Sequence, residues 1–200
     1  PLLKAPLDGA TCVTYAYAIK VYRGTGKARR LATVARGVAL TPSVIVTPAG
    51  RFRLGVVPDL DATATVASQA ACIDNFVAYA RATPFIEAKA SAQELLDRWG
   101  DDDGAYRSDV RFEPLHGAST DGWQAQQQHV APGAQVCVVG RYDRARGAVV
   151  PSPGGTPTRL IVGDAAAVAA SLRSTALRHA LFGLGLAVIP VLLVLSAWRS

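Results

Sequence analysis

His116, Ser119 and Asp121 are the three residue types of a hydrolase triad, and they stand close together. A serine nucleophile of the common hydrolase kind sits in a strained Gly-x-Ser-x-Gly turn, and no serine here has those neighbours. Triads also recruit distant segments rather than one loop, so a loop without catalysis is the expectation for these three. Asp101, Asp102 and Asp103 could gather a hard cation, but the run lacks the alternating oxygens and closing glutamate of a calcium loop; a solvated acidic loop is expected. Gly24-Thr25-Gly26-Lys27 suggests phosphate binding. It fails the P-loop template, because Val21 stands where a glycine is needed and Ala28 follows the lysine. His116 and His129 are not at helical metal-ligand spacing. Tyr15, Tyr17, Tyr22 and Phe52, near Arg51 and Arg53, could stack single-stranded bases. On strands, alternating rings more often form core and cross-strand pairs. The residues thus predict no catalytic set, no cofactor or cofactor-binding residue, no metal ligand and no nucleic-acid partner.

The three cysteines, Cys12, Cys72 and Cys137, are too widely spaced for a local zinc site. Cys12 and Cys137 fall in strand-like runs and read as small, inert, buried or half-buried residues. One bridge remains open to them in an oxidising compartment. The net charge of +6 suits anionic lipid headgroups and nucleic acid alike. Arg29, Arg30, Arg51, Arg53, Arg141, Arg144 and Arg146 form no single run, so a solvated surface is expected of each. The chain has no methionine and begins at Pro1; a processed start or a fragment is expected.

These residues must be held by elements, and the patterning predicts which. Thr11 to Tyr22 alternates and reads as a strand, with Val13, Tyr15, Tyr17, Ile19 and Val21 toward the core and Cys12 on the other face. Leu31 to Leu40 reads as the returning strand. Val44 to Thr47 and Arg51 to Val57 read as a hairpin turning at Pro48-Ala49-Gly50. Ala62 to Ala82 is alanine-rich with Val66, Ile73, Phe76, Val77 and Ala80 at helical spacing, and Pro84 stops it. Ser91 with Glu94 forms a capping box opening a helix through Trp99. Gly100 to Gly104 and His116 to Gly122 read as loops. Strands are expected at Tyr106 to Phe112, Gln124 to Val130, Gln135 to Tyr142, Ala148 to Val150 and Arg159 to Val162, with a turn at Pro132-Gly133 and a loop from Pro151 to Pro157. Asp164 caps a helix from Ala165 to Arg173. The fold class expected is α+β: a mostly antiparallel β core with inserted helices and a C-terminal transmembrane helix. The expected domains are 1–163, a juxtamembrane helix at 164–179 and a transmembrane helix at 180–198.

That last helix rests on the uncharged run from Ala180 to Trp198. About nineteen residues as a helix cross a bilayer's hydrocarbon core. Trp198 beside Arg199 suits a membrane–water boundary. Gly183, Gly185 and Pro190 would weaken a soluble helix and are tolerated in a span. The two glycines do not make a Gly-x-x-x-Gly face, so no dimer is implied. The lipid bilayer is therefore the first expected partner.

Several segments together resemble the GIDE domain, also called BAM for "beside a membrane". They are the run from Pro1 to Leu7 leading into Cys12-Val13-Thr14-Tyr15-Ala16-Tyr17, the hairpin Ile45-Val46-Thr47-Pro48-Ala49-Gly50, the Pro132-Gly133 turn feeding Gln135 to Gly140, and Arg159 to Val162 before a helix and a span. Ala62 to Gly122 matches least. In eukaryotes this domain is the middle part of a mitochondrial membrane-bound RING-type E3 ubiquitin ligase, lying between two membrane spans. The resemblance implies a first span before Pro1 and an E3 ubiquitin-ligase-like system. The RING's cysteine and histidine array for two zinc ions is absent from this chain. The function expected is a membrane-anchored, non-catalytic module that binds a protein partner or ligand at the membrane surface. The alternative is a component of a ubiquitin-transferase system. Arg159, Arg173 and Arg178 before the span favour a cytoplasmic domain. The family plan places it on the far side, and an extracytoplasmic side is the expectation.

Overall fold

The structure is a computed structural model, and it describes residues 2–24, 27, 29–62, 65–67, 70–84, 86, 91–98, 105–111, 122–170 and 173–174. It divides into two compact units, Pro1–Val162 and Gly163–Ser200. Within the first, the chain opens with the short hairpin β1 (Leu3–Lys4) and β2 (Thr11–Cys12), followed by the long strands β3 (Thr14–Arg23) and β4 (Arg30–Leu40). The hairpin β5 (Val44–Thr47) and β6 (Gly50–Leu54) comes next, then β7 (Asp59–Asp61) and β8 (Thr65–Ala67). Two helices, α1 (Ala70–Ala82) and α2 (Ala92–Arg98), precede β9 (Tyr106–Arg111) and β10 (Trp123–Val130). The unit closes with β11 (Val136–Val139), β12 (Arg141–Asp143), β13 (Ala148–Val150) and β14 (Arg159–Val162).

Among the described residues these strands form a five-stranded sheet in the order β8-β10-β3-β4-β9, a four-stranded sheet β12-β13-β6-β5, a three-stranded sheet β11-β14-β7 and the β1-β2 pair. The architecture is α+β and mostly antiparallel. Two pairings depart from that rule: β13 runs parallel to β6 and β14 parallel to β7. Both bring the C-terminal strands back onto strands laid down about a hundred residues earlier, through long connections that a parallel pair requires.

The main core lies on one face of the five-stranded sheet. Tyr15, Tyr17 and Ile19 of β3 alternate into it, and Val21 packs against it. Ile73 and Phe76 of α1 cover them, with Val77 and Ala80 at the margin. A second core gathers Leu40, Leu54, Val130, Val149 and Leu160, between the ends of the sheets.

The expected strand from Thr11 to Tyr22 is interrupted at Val13. Cys12 is fully buried in the main core, whereas Val13 packs against the second core. The backbone explains the exchange. Val13 donates its N–H to the Val130 carbonyl at 2.8 Å and accepts from Thr41 at 2.9 Å. One irregular residue reverses the side-chain parity of a strand. A second irregularity lies opposite Ile19 and Lys20, whose partners are Ala35 and Thr33. It leaves Val34 and Ala35 buried side by side.

The helix expected over Ala62 to Ala82 starts only at Ala70, and Thr65–Ala67 pairs with β10 instead. The β-branched pair Thr65-Val66 suits a pleated strand, and the open edge of β10 competes for it. The segment expected as one strand from Gln135 to Tyr142 is two, in different sheets. Gly140 divides them where the backbone runs close to Thr158; an added Cβ would lie 2.9 Å from the threonine's Cγ2. The Asp164 cap is present. Its carboxylate accepts the Ala166 and Ala167 N–H groups at 3.0 and 3.2 Å, opening a helix over 165–170. No helix of the described residues is long and apolar enough to cross a membrane, and the run from Ala180 to Trp198 lies outside them.

Candidate functional site

His116, Ser119, Asp121 and the Asp101–Asp103 run lie outside the described residues, as do Thr25 and Gly26 of the glycine loop. Among the described residues no group of His, Cys, Asp and Glu could hold a metal ion. His129 stands on β10 with its Nδ1 3.8 Å from Asp8. The aromatic platform does not assemble. Tyr15 and Tyr17 are buried in the main core, while Tyr22 is exposed and carries the Arg29 guanidinium 4.2 Å above its ring. Phe52 meets Tyr142 edge-on at 5.2 Å on another sheet.

A polar network that the sequence reading missed sits on the covered face of the five-stranded sheet. Strand β9 places Asp109 opposite Gly37 of β4, which is itself opposite Tyr17 of β3. Tyr17 donates to Asp109 Oδ1 at 2.8 Å, and Tyr79 of α1 reaches the same oxygen at 3.4 Å. Tyr15 and Tyr79 share a hydrogen bond at 3.1 Å. Arg107 Nε lies 2.9 Å from the other carboxylate oxygen. Gly37 makes room for all of this: a Cβ there would stand 2.2 Å from Asp109 Oδ1 and 2.5 Å from the Tyr17 ring.

Burial raises the Asp109 carboxyl above its ordinary value, against the pull of Tyr17, Arg107 and Tyr79. Burial likewise raises all three phenols, so they stay protonated donors. A cleft of about 450 Å³ opens beside the network and touches Tyr15, Tyr79, Arg107 and Lys4. Its cations are occupied: Lys4 binds the Thr11 hydroxyl, and Arg107 binds Asp109 and the Pro84 carbonyl. No activated nucleophile faces this cleft among the described residues. The network fixes the β3, β4 and β9 register and joins α1 to the sheet. A second clamp does the same for the N-terminal segment. The N–H of Leu7 is held by Gln127 Oε1 and its carbonyl by Asn75 Nδ2, each at 2.8 Å.

The more open feature is a groove of about 730 Å³ over the second core. Leu40, Leu54, Val130 and Leu160 floor it. One wall is the segment from Pro42 to Pro48, which includes β5; the other is the turn at Pro132-Gly133 and the start of β11. None of the lining residues is charged. Both walls follow from local chemistry. In the β5–β6 hairpin, Thr47 opposes Gly50 across Pro48-Ala49, and the Ala49 N–H is held by Thr47 Oγ1 at 3.2 Å. In the second wall, Gly133 takes φ of 73° after Pro132, as a Pro-Gly turn demands. Among the described residues strand β5 is also one of the two edges of its sheet.

No family model, curated protein or solved structure matches the chain.

Proposed function

We propose that this chain is a membrane-anchored, non-catalytic module of the GIDE/BAM kind that binds a protein partner at the membrane surface. The observation that carries the binding half is the uncharged groove bordered by the free edge of β5. Ligand sites are concave and mostly apolar, and among its described lining residues this one has hydroxyls and an amide but no carboxylate, imidazole, thiol or cation. The anchor half is supported by the uncharged run from Ala180 to Trp198. The hydrogen-bonded network around Asp109 supports a scaffold role for the five-stranded sheet, since burial keeps its phenols protonated and Arg107 faces its carboxylate.

Alkaline extraction of membranes carrying the full chain tests the anchor. The full chain is expected to stay in the pellet, while a chain ending at Ser174 moves to the supernatant. Release of the full chain would remove the anchored reading.

A further inference from the structure

One wall of the groove is itself a strand that, among the described residues, has nothing paired to its outer side. In an antiparallel ladder every second residue turns its N–H and C=O away from its partner strand. Among the described residues strand β5 pairs with β6 on one side only, so that alternate set faces the open edge. Natural sheets blunt such edges with very short strands, lysine, proline within the strand, or a bulge. Val44-Ile45-Val46-Thr47 is short, at four residues, but has no lysine, proline or bulge. It is flat in register with β6 and exposes Val46 at 70% and Val44 at 47%. Beside them, Val44 pairs with Arg53 and Val46 with Arg51. Both arginines are exposed and no ion pair among the described residues involves either, although Arg53 Nη2 donates to the Arg146 carbonyl at 3.3 Å.

We infer that β5 recruits an extended segment of a partner protein by strand addition, and that this segment alternates apolar with acidic residues. The inference deepens the binding reading and rests on it. Main-chain hydrogen bonds along β5 supply affinity, and alternate side chains supply selectivity. Side chains on the inner face of the added strand enter the groove over Leu40 and Leu54. Those on the outer face lie beside Val44 and Val46, within reach of Arg51 and Arg53, so carboxylates fit there. A second copy of this chain would bring the same arginines against each other, which disfavours self-pairing. A lipid surface would use the valines and arginines but leave the backbone edge and the groove unfilled.

The test uses the full chain in nanodiscs of neutral lipid. The probe is a fluorescent peptide of about eight residues, a typical strand length, alternating valine and glutamate. A second probe carries N-methyl groups on alternate amides. The unmodified peptide is expected to bind, and N-methylation to weaken it by roughly tenfold or more through lost backbone hydrogen bonds. V46K, at a site exposed enough to leave folding intact, is expected to weaken binding to a similar degree, and R51E/R53E to favour a valine–lysine peptide instead. V139K, exposed on another sheet, should change nothing. Equal binding of both probes, indifference to V46K, or no binding at all would overturn strand addition. So would a shift of the hairpin onto phosphatidylserine nanodiscs without peptide binding, or self-association lost in V46K. A failed peptide arm with the chain still in the alkaline pellet leaves the anchored module standing; release from the pellet with peptide binding intact removes the anchor alone.

Discussion

At the scale of single residues, the fold turns on a carboxylate beneath a glycine. Asp109 is 2% exposed and has Tyr17, Tyr79 and Arg107 around it. G37A places a methyl group inside both Asp109 and Tyr17. Overpacking of this kind costs about 1–3 kcal/mol, and the thermal midpoint of the purified protein is expected to fall accordingly. A midpoint within error of the parent would mean that β4 and β9 separate easily. The same carboxylate gives a pH signature. Its folded value lies above its unfolded value because of burial. The folded state therefore holds the proton more tightly. This group's contribution is fully present below the unfolded value near 3.9 and is lost as pH rises through the folded value. D109N is expected to abolish that fall in stability with rising pH. An unchanged slope would assign it to another group. Cys12 offers a third check. Burial pushes its thiol up to about 11, so Cys12 is expected to resist alkylation at pH 8 while the half-buried Cys72 and Cys137 react first. Peptide mass spectrometry reads the order directly.

At the scale of elements, local chemistry decides where helices start. Ser91 Oγ accepts the Glu94 N–H at 3.2 Å, and the Glu94 carboxylate accepts the Ser91 N–H at 2.6 Å. This reciprocal cap opens α2, whose Leu96 packs with Ala148 and Val150. S91A is expected to cost about 1 kcal/mol, seen as a lower midpoint in urea; no change would mean that the packing of Leu96 alone holds α2. Features of this local kind were legible in the sequence: both caps, the Pro48-Ala49 hairpin, the Pro-Gly turn, and the alternation of Tyr15, Tyr17 and Ile19. What escaped reading depends on contacts distant in sequence. Val13 leaves the strand's parity because Val130 and Thr41 claim its backbone. Thr65–Ala67 becomes a strand because β10 has an edge to offer. Asp109 looks like an ordinary charged strand residue until β4 presents a glycine opposite it. Gln127 sits in a polar run, yet it is 1% exposed and holds Leu7. The one available hint was parity, since Ala125 and Gln127 share a strand face.

At the scale of the whole molecule, the two halves of the chain's polar inventory do different work. The buried network and the Leu7 clamp tie strands and the N-terminal segment to one sheet. The arginines of the β5–β6 hairpin stay outside, next to an uncharged groove and an edge that is unpaired among the described residues. Paired buried charges and an apolar edge strand at β5 are the features on which the proposed partner-binding role rests. The most direct measurement is photocrosslinking in intact membranes, with a photoreactive residue replacing Val46 in the full chain and Tyr22 as the exposed control. The account predicts discrete protein adducts from position 46 and none from position 22. Lipid adducts alone from position 46, or no adduct from either position, would contradict it.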